Sequence, residues 1–212
     1  MKESHHEFWS SLMALNAQGY FNCLKSYLNT SHYGEIQNST SEVILKEKIF
    51  GQSGSKPSEY KVRLQTTGEI LVIKLDTKKN GASSPLFHFL DDNAKPWSKR
   101  CDFMVFNLRK NKLYVYCIEF KSENIPNDVQ DQLIASVNWL KSLHATIRAY
   151  TAKRCTIHAT KYVISNHPDP ASYLDAEGKY LKRDHTIRHY CYSELNGIAL
   201  ADLENSNIEV IR

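Results

Sequence analysis

The stretch "CDFMVFNLRKNKLYVYCIEFKS", residues 101–122, holds two apolar runs separated by a basic, polar tip. Each run carries an acid where a buried strand should not want one. Asp102 opens the first, and Glu119 sits inside the second, two residues before Lys121. Side chains alternate between the faces of a strand. Leu113, Val115, Cys117, Glu119 and Lys121 therefore share one face, and Tyr114, Tyr116, Ile118 and Phe120 take the other. A turn at Lys110 and Asn111 would fold the two runs into a hairpin with Asp102 directly across from Glu119. Directly opposed residues have Cβ atoms about 4.5–5.5 Å apart.

Two carboxylates that close repel, and one takes up a proton unless a cation joins them. A divalent metal resolves the conflict. Mg²⁺ takes oxygen ligands, keeps several waters and is commonly held by one or two carboxylates together with substrate phosphate. Lys121 on the same face would stabilise charge on a phosphate or position the attacking water. An E-x-K triplet alone says little, and charged pairs of this kind also occur on plain edge strands. The spacing within the hairpin, the apolar flanks and the helix that follows give it weight.

Outward from the hairpin, "NIPNDVQDQLIASVNWLKSLHATI" predicts the strongest helix, capped by Asn127, with Val129, Leu133, Val137 and Leu140 along one face. "TIHATKYVISN" predicts a strand after it. Strand, helix and strand over 113–165 suggest a crossover onto a mixed sheet. Upstream, residues 5–28 read as a helix, with Phe8, Leu12, Leu15 and Phe21 or Leu24 as its stripe. Residues 38–50 read as a second helix, capped by Ser39 or Thr40, with Val43, Ile44 and Phe50 apolar. "EYKVRLQTTGEILVIKLD" reads as two strands around a Thr-Gly turn, and "LFHFL" as a short strand. "GQSGSKPS" and "TKKNGASSP" read as loops. "TIRHYCYSEL" reads as a strand, followed by a short terminal helix or strand. The expected organisation is one domain over 1–212: a helical extension at 1–37, a core at 39–165 and a β/helical extension at 166–212.

Composition bounds the rest. With 212 residues, 24% charged and 11% aromatic, the chain suits one globular core. No apolar run approaches the roughly 20 residues that span a bilayer. The first residues lack the apolar stretch and cleavage site of a signal peptide. The five cysteines are scattered, with no CxxC pair, which fits reduced thiols. A cytoplasmic protein without membrane contact is expected. The net charge of +4 permits a polyanionic partner without demanding one. Basic clusters at 95–100, 109–112, 151–154 and 179–189 are the candidate phosphate contacts, with Lys99, Arg100, Lys182 and Arg183 foremost. His185, His189 and Cys191 have zinc-like spacing only on a helix, and the stretch reads as a strand. No P-loop, GxSxG or Rossmann glycine pattern is present.

The acid opening "CDFMVF", the E-x-K of "YVYCIEFKS" and the following helix with "QDQL" resemble the PD-(D/E)XK nuclease superfamily. The resemblance covers roughly residues 39–165, and its specific part is the central hairpin. Cys101 stands where that family often has proline. The resemblance implies a restriction-endonuclease-like α/β fold, a mixed β-sheet flanked by helices in the order helix, strands, hairpin, helix, strand. It also implies a metal-dependent phosphodiesterase using Mg²⁺, with Mn²⁺ able to substitute, and an endonuclease ahead of an exonuclease. Asp102 and Glu119 would bind the metal and Lys121 would be the catalytic lysine. Glu42, or in its place Glu47, would be the acid of the preceding helix, and Gln132, ahead of Gln130, the glutamine of the following one. The expected substrate is nucleic acid, DNA first, in a setting such as restriction or bacterial antiphage defence. The expected assembly is a homodimer or a complex with an ATPase or sensor subunit. The alternatives are a non-catalytic scaffold with the same fold, or a nuclease for RNA or branched DNA.

Overall fold

Phe103–Arg109 and Lys112–Lys121 form the expected antiparallel hairpin, in register from Phe103 opposite Ile118 to Arg109 opposite Lys112. Lys110 and Asn111 make the turn with φ of 48° and 55°. Two positive φ angles give the turn whose twist matches that of paired strands. The structure, a computed structural model, describes residues 16–29, 32–33, 41–49, 58–79, 82–83, 85–87, 89–93, 95–122 and 124–212. In chain order its elements are α1 (Ala17–Tyr27), β1 (Glu42–Ile49), β2 (Ser58–Gln65), β3 (Glu69–Lys74), the two-residue strands β4 (Lys78–Lys79) and β5 (Ala82–Ser83), β6 (Phe103–Arg109) and β7 (Lys112–Lys121). They continue with α2 (Val129–Thr151), β8 (Ile157–Ser165), β9 (Tyr180–Leu181), β10 (Asp184–Cys191), the single turn α3 (Tyr192–Leu195) and β11 (Glu209–Ile211).

The main sheet is mixed, in the order β3-β6-β7-β8-β10-β9, with β11 beside the first residues of β8. The β3-β6-β7 part is an antiparallel meander, and α2 carries the chain across to β8, parallel to β7. Residues 166–212 thus contribute three strands to the main sheet. One face packs against the helices: Met104, Phe106, Val115 and Cys117 meet Phe21 and Leu24 of α1 and Leu133, Val137 and Leu140 of α2. The other face, with Val72, Phe103, Val105, Tyr116 and Phe120, is covered by the β1-β2 hairpin and by Leu195, Leu200 and Leu203. Burial on both faces explains why β6 and β7 read as almost continuous apolar runs. Among the described residues no helix is long and apolar enough to cross a membrane.

Several expectations need correction. Residues 42–49 form a strand, paired with β2, where a helix was expected over 38–50. Val43 and Leu45 point into the core and Lys46 and Lys48 point out. That period of two decides the conformation once β2 and the sheet supply an apolar surface. The strands around the Thr-Gly turn are present but do not pair with each other: β2 joins β1 and β3 joins β6. Gly68 at that turn has φ +88°, and a Cβ there would lie 2.2 Å from the Leu108 carbonyl oxygen. Lys78–Lys79 and Ala82–Ser83 pair as a small ribbon in the segment expected as a loop, and the described residues of 86–90 form no strand. Asp128, not Asn127, stands at the start of α2, without a side-chain cap. Phe8, Leu12, Leu15, Ser39, Thr40 and Phe50 lie outside the described residues.

Candidate active site

Asp102 sits one residue before β6, where its carbonyl accepts from the Leu75 amide at 2.9 Å. Continuing the hairpin register by one pair sets it opposite Glu119. There the side chains take over from the backbone ladder. The Asp102 amide donates to Glu119 Oε2 at 3.1 Å, and the Phe120 amide donates to Asp102 Oδ2 at 2.6 Å. These crossed bonds fix both carboxylates at the mouth of the hairpin. Asp102 is 8% exposed and Glu119 2%.

Lys121 completes the cluster. Its Nζ donates to Glu119 Oε1 at 2.5 Å and to Gln132 Oε1 at 3.1 Å. Helix α2 braces the group at two points one turn apart. Gln132 holds Lys121, and Ser136 Oγ accepts from the amide of Cys101, next to Asp102, at 2.7 Å. The structure therefore brings together Asp102, Glu119, Lys121 and Gln132, and its contact with Lys121 is what separates Gln132 from Gln130.

Burial dominates the electrostatics. It pushes the Glu119 carboxyl up to about 8, against the pull of the Lys121 charge. It also pushes Asp102 well above the ordinary carboxylate range, with the charges of Glu119 and Glu47 adding to it. Glu47 shares the inward face of β1 with Val43 and Leu45, is paired with Lys74 at 2.5 Å, and lies close enough to act on Asp102. Glu42 lies on the opposite face of β1, 3.5 Å from Arg63. The helical setting expected for both acids is replaced by a strand, and of the two it is Glu47 whose charge acts on Asp102.

The expected phosphate contacts divide. Arg100 is 6% exposed, and its Nη2 is bound to Asp92 at 2.6 Å, so it anchors the loop before β6. Lys99 pairs with Asp131 at 2.6 Å on the rim of a polar cleft that Asp76, Asp92 and Gln132 also line. Lys182 and Arg183 line a separate cavity of about 380 Å³ with Asn127, Gln130 and Tyr173. His185 is exposed and 3.9 Å from Asp175. His189 is buried against Ser165 Oγ at 2.8 Å, and burial holds its ring down to about 4. Among the described residues no group of three or more His, Cys, Asp or Glu is placed to hold a metal ion.

Tyr192 was missed in the sequence. Its ring stacks on Tyr60 with centroids 4.4 Å apart and meets Phe120 edge-on at 5.4 Å. Its hydroxyl is buried without a hydrogen-bond partner among the described residues. The charges of Asp102, Glu47 and Glu119 join burial in raising its pKa. The turn of helix that swings it toward the acids follows a strand in a stretch that reads as strand throughout, so no sequence signal marked it.

The donor set suits a hard cation that keeps part of its water. Two carboxylates offer about eight lone-pair directions, and the bonds to the Asp102 and Phe120 amides and to Lys121 use three of them. Asp102 Oδ1 has no hydrogen bond among the described residues. Two carboxylates are enough for Mg²⁺, which seldom takes an all-protein cage. Comparison of the chain with protein-family models, with curated proteins and with solved structures gives no match.

Proposed function

We propose that this chain is a Mg²⁺-dependent nuclease that hydrolyses phosphodiester bonds, in DNA ahead of RNA, on a restriction-endonuclease-like core. The observation that carries the reading is the buried, cross-strand Asp102–Glu119 pair with Lys121 on Glu119. Such a pair is costly to the fold unless a cation relieves it. The order α1, β3-β6-β7 meander, α2 and parallel β8 supports the fold assignment.

Asp102 and Glu119 would hold the metal. When bound, it supplies charge stabilisation at the phosphoryl oxygens and makes water more acidic. Lys121 would turn its ammonium from Glu119 to the scissile phosphate, where charge builds in the transition state. Gln132 keeps that ammonium on the side of α2. Glu47 sets the local field from the opposite face of the sheet. Mn²⁺ should substitute, since it favours the same oxygen donors.

The test is incubation of the purified protein with labelled linear duplex, single-stranded and circular DNA and with RNA, in Mg²⁺, Mn²⁺ or EDTA. Cleavage in either metal and none in EDTA is expected. Intact substrates in both metals would reject the reading in favour of a scaffold.

A further inference from the structure

We propose that the groove beside this site binds unstacked bases, so that the preferred substrate is a single-stranded stretch of nucleic acid. The inference rests on the nuclease reading for its catalytic consequence, but the groove itself stands on separate observations. It has a volume of about 600 Å³, within the roughly 300–1,000 Å³ of pockets that hold small ligands. Its walls are Phe87, Pro96, Trp97 and Ile134, and its rim carries Lys95 and Lys99. Trp97 is 37% exposed and Ile134 43%. The indole is held in place by its Nε1–H, which donates to the Asp91 carbonyl at 2.8 Å. A fixed, half-exposed indole is a ready stacking surface.

The groove adjoins the polar cleft that Gln132 lines. Asp131, Ile134, Asn138 and Ser142 lie along one stripe of α2. The stripe is about 16 Å long at 1.5 Å per residue. It starts one residue from Gln132, which contacts Lys121. Lys99 lines both this groove and the polar cleft that Gln132 shares. An occupant must offer flat apolar faces to Trp97 and Phe87, hydrogen-bonding edges to Asn138 and Ser142, and negative charge to Lys95. Lys95 has no acidic partner among the described residues. Among the described residues the one carboxylate lining the groove, Asp131, is paired with Lys99. A nucleotide strand meets all these demands. A duplex does not, because its bases are stacked on one another. Basic residues interleaved with aromatic faces are the general means of holding single strands.

The test is a fluorescence-anisotropy titration of a labelled oligothymidylate and of a blunt duplex, in EDTA at one fixed salt concentration. Trp97→Ala should weaken single-strand binding about tenfold, with duplex binding changed less than about twofold, since phosphate contacts carry it. Ile134→Glu, at an exposed position, should do the same without touching the indole. Equal losses on both substrates, or no loss with either variant, would overturn the proposal. So would unchanged single-strand binding together with a shift in oligomeric state by light scattering, which would assign the groove to a second copy. Cleavage in Mg²⁺ is measured on the same proteins. Normal cleavage with no Trp97 effect would sink the groove alone. A Trp97-dependent single-strand preference without cleavage would sink the enzyme alone.

Discussion

Glu119→Gln and Asp102→Asn should each lower the proposed metal-dependent cleavage by on the order of 10³-fold, as expected when several kcal/mol of metal-borne charge stabilisation are lost. The same substitutions should stabilise the metal-free fold above neutral pH. Glu119 has a pKa of about 8 in the folded chain against an ordinary value of 4.5. Between those values the folded state keeps a proton that the unfolded chain has released. Stability therefore falls as pH rises through that window. Asp102 is raised too, so it adds to the fall. With glutamine at 119 this contribution disappears, and the push of Glu119 on Asp102 goes with it. The variant should match wild type near pH 5 and exceed it at pH 8 by on the order of a few kcal/mol. Urea unfolding in EDTA across this range reads the effect. A variant that cleaves at the wild-type rate, or a wild type whose stability rises from pH 5 to 8 relative to the variant, would contradict the assignment.

Lys121→Ala should lower the single-turnover rate of the proposed cleavage by on the order of 10²-fold, the loss typical of one preorganised donor. Substrate binding should change far less, because other lysines and arginines would supply most of the phosphate attraction. Arginine should not rescue. The Nζ fits between Glu119 Oε1 and Gln132 Oε1 as a compact point charge, and a planar guanidinium does not. The pH profile gives an independent reading. The Lys121 charge pulls the Glu119 pKa down, so its loss raises that pKa and moves the rising limb of the rate profile to higher pH. Equal losses in rate and binding with an unmoved profile would reduce Lys121 to a phosphate anchor.

The hairpin was legible because its information is local. The Lys110–Asn111 tip and the alternation on either side specify the register, and the register alone puts Asp102 across from Glu119. Helix α2 and strand β8 were legible for a similar reason: Val129, Leu133, Val137 and Leu140 recur at helical spacing, and the β-rich run follows within a few residues. The β1 strand was not, because Val43, Ile44 and Phe50 can be fitted to a helix, and the deciding partner, β2, is remote in its pairing. The setting of Glu42 and Glu47 was lost with it. Arg100 looks like a surface cation in "KPWSKR", yet the fold buries it on Asp92, a pairing that depends on how the loop before β6 closes. Tyr192 reaches the acids only through tertiary packing on Tyr60 and Phe120.

The most direct measurement is calorimetric titration of Mg²⁺ into the protein at pH 7, in two buffers of different ionisation enthalpy. Burial holds the Glu119 carboxyl well above the ordinary carboxylate range in the metal-free chain, and a carboxyl group must shed its proton to bind metal. Saturable binding with net proton release, seen as a buffer-dependent heat, is expected of the wild type, and neither of Glu119→Gln. Absence of binding by the wild type, or an unchanged isotherm in the variant, would contradict the claim that the Asp102–Glu119 pair is built to hold a divalent cation.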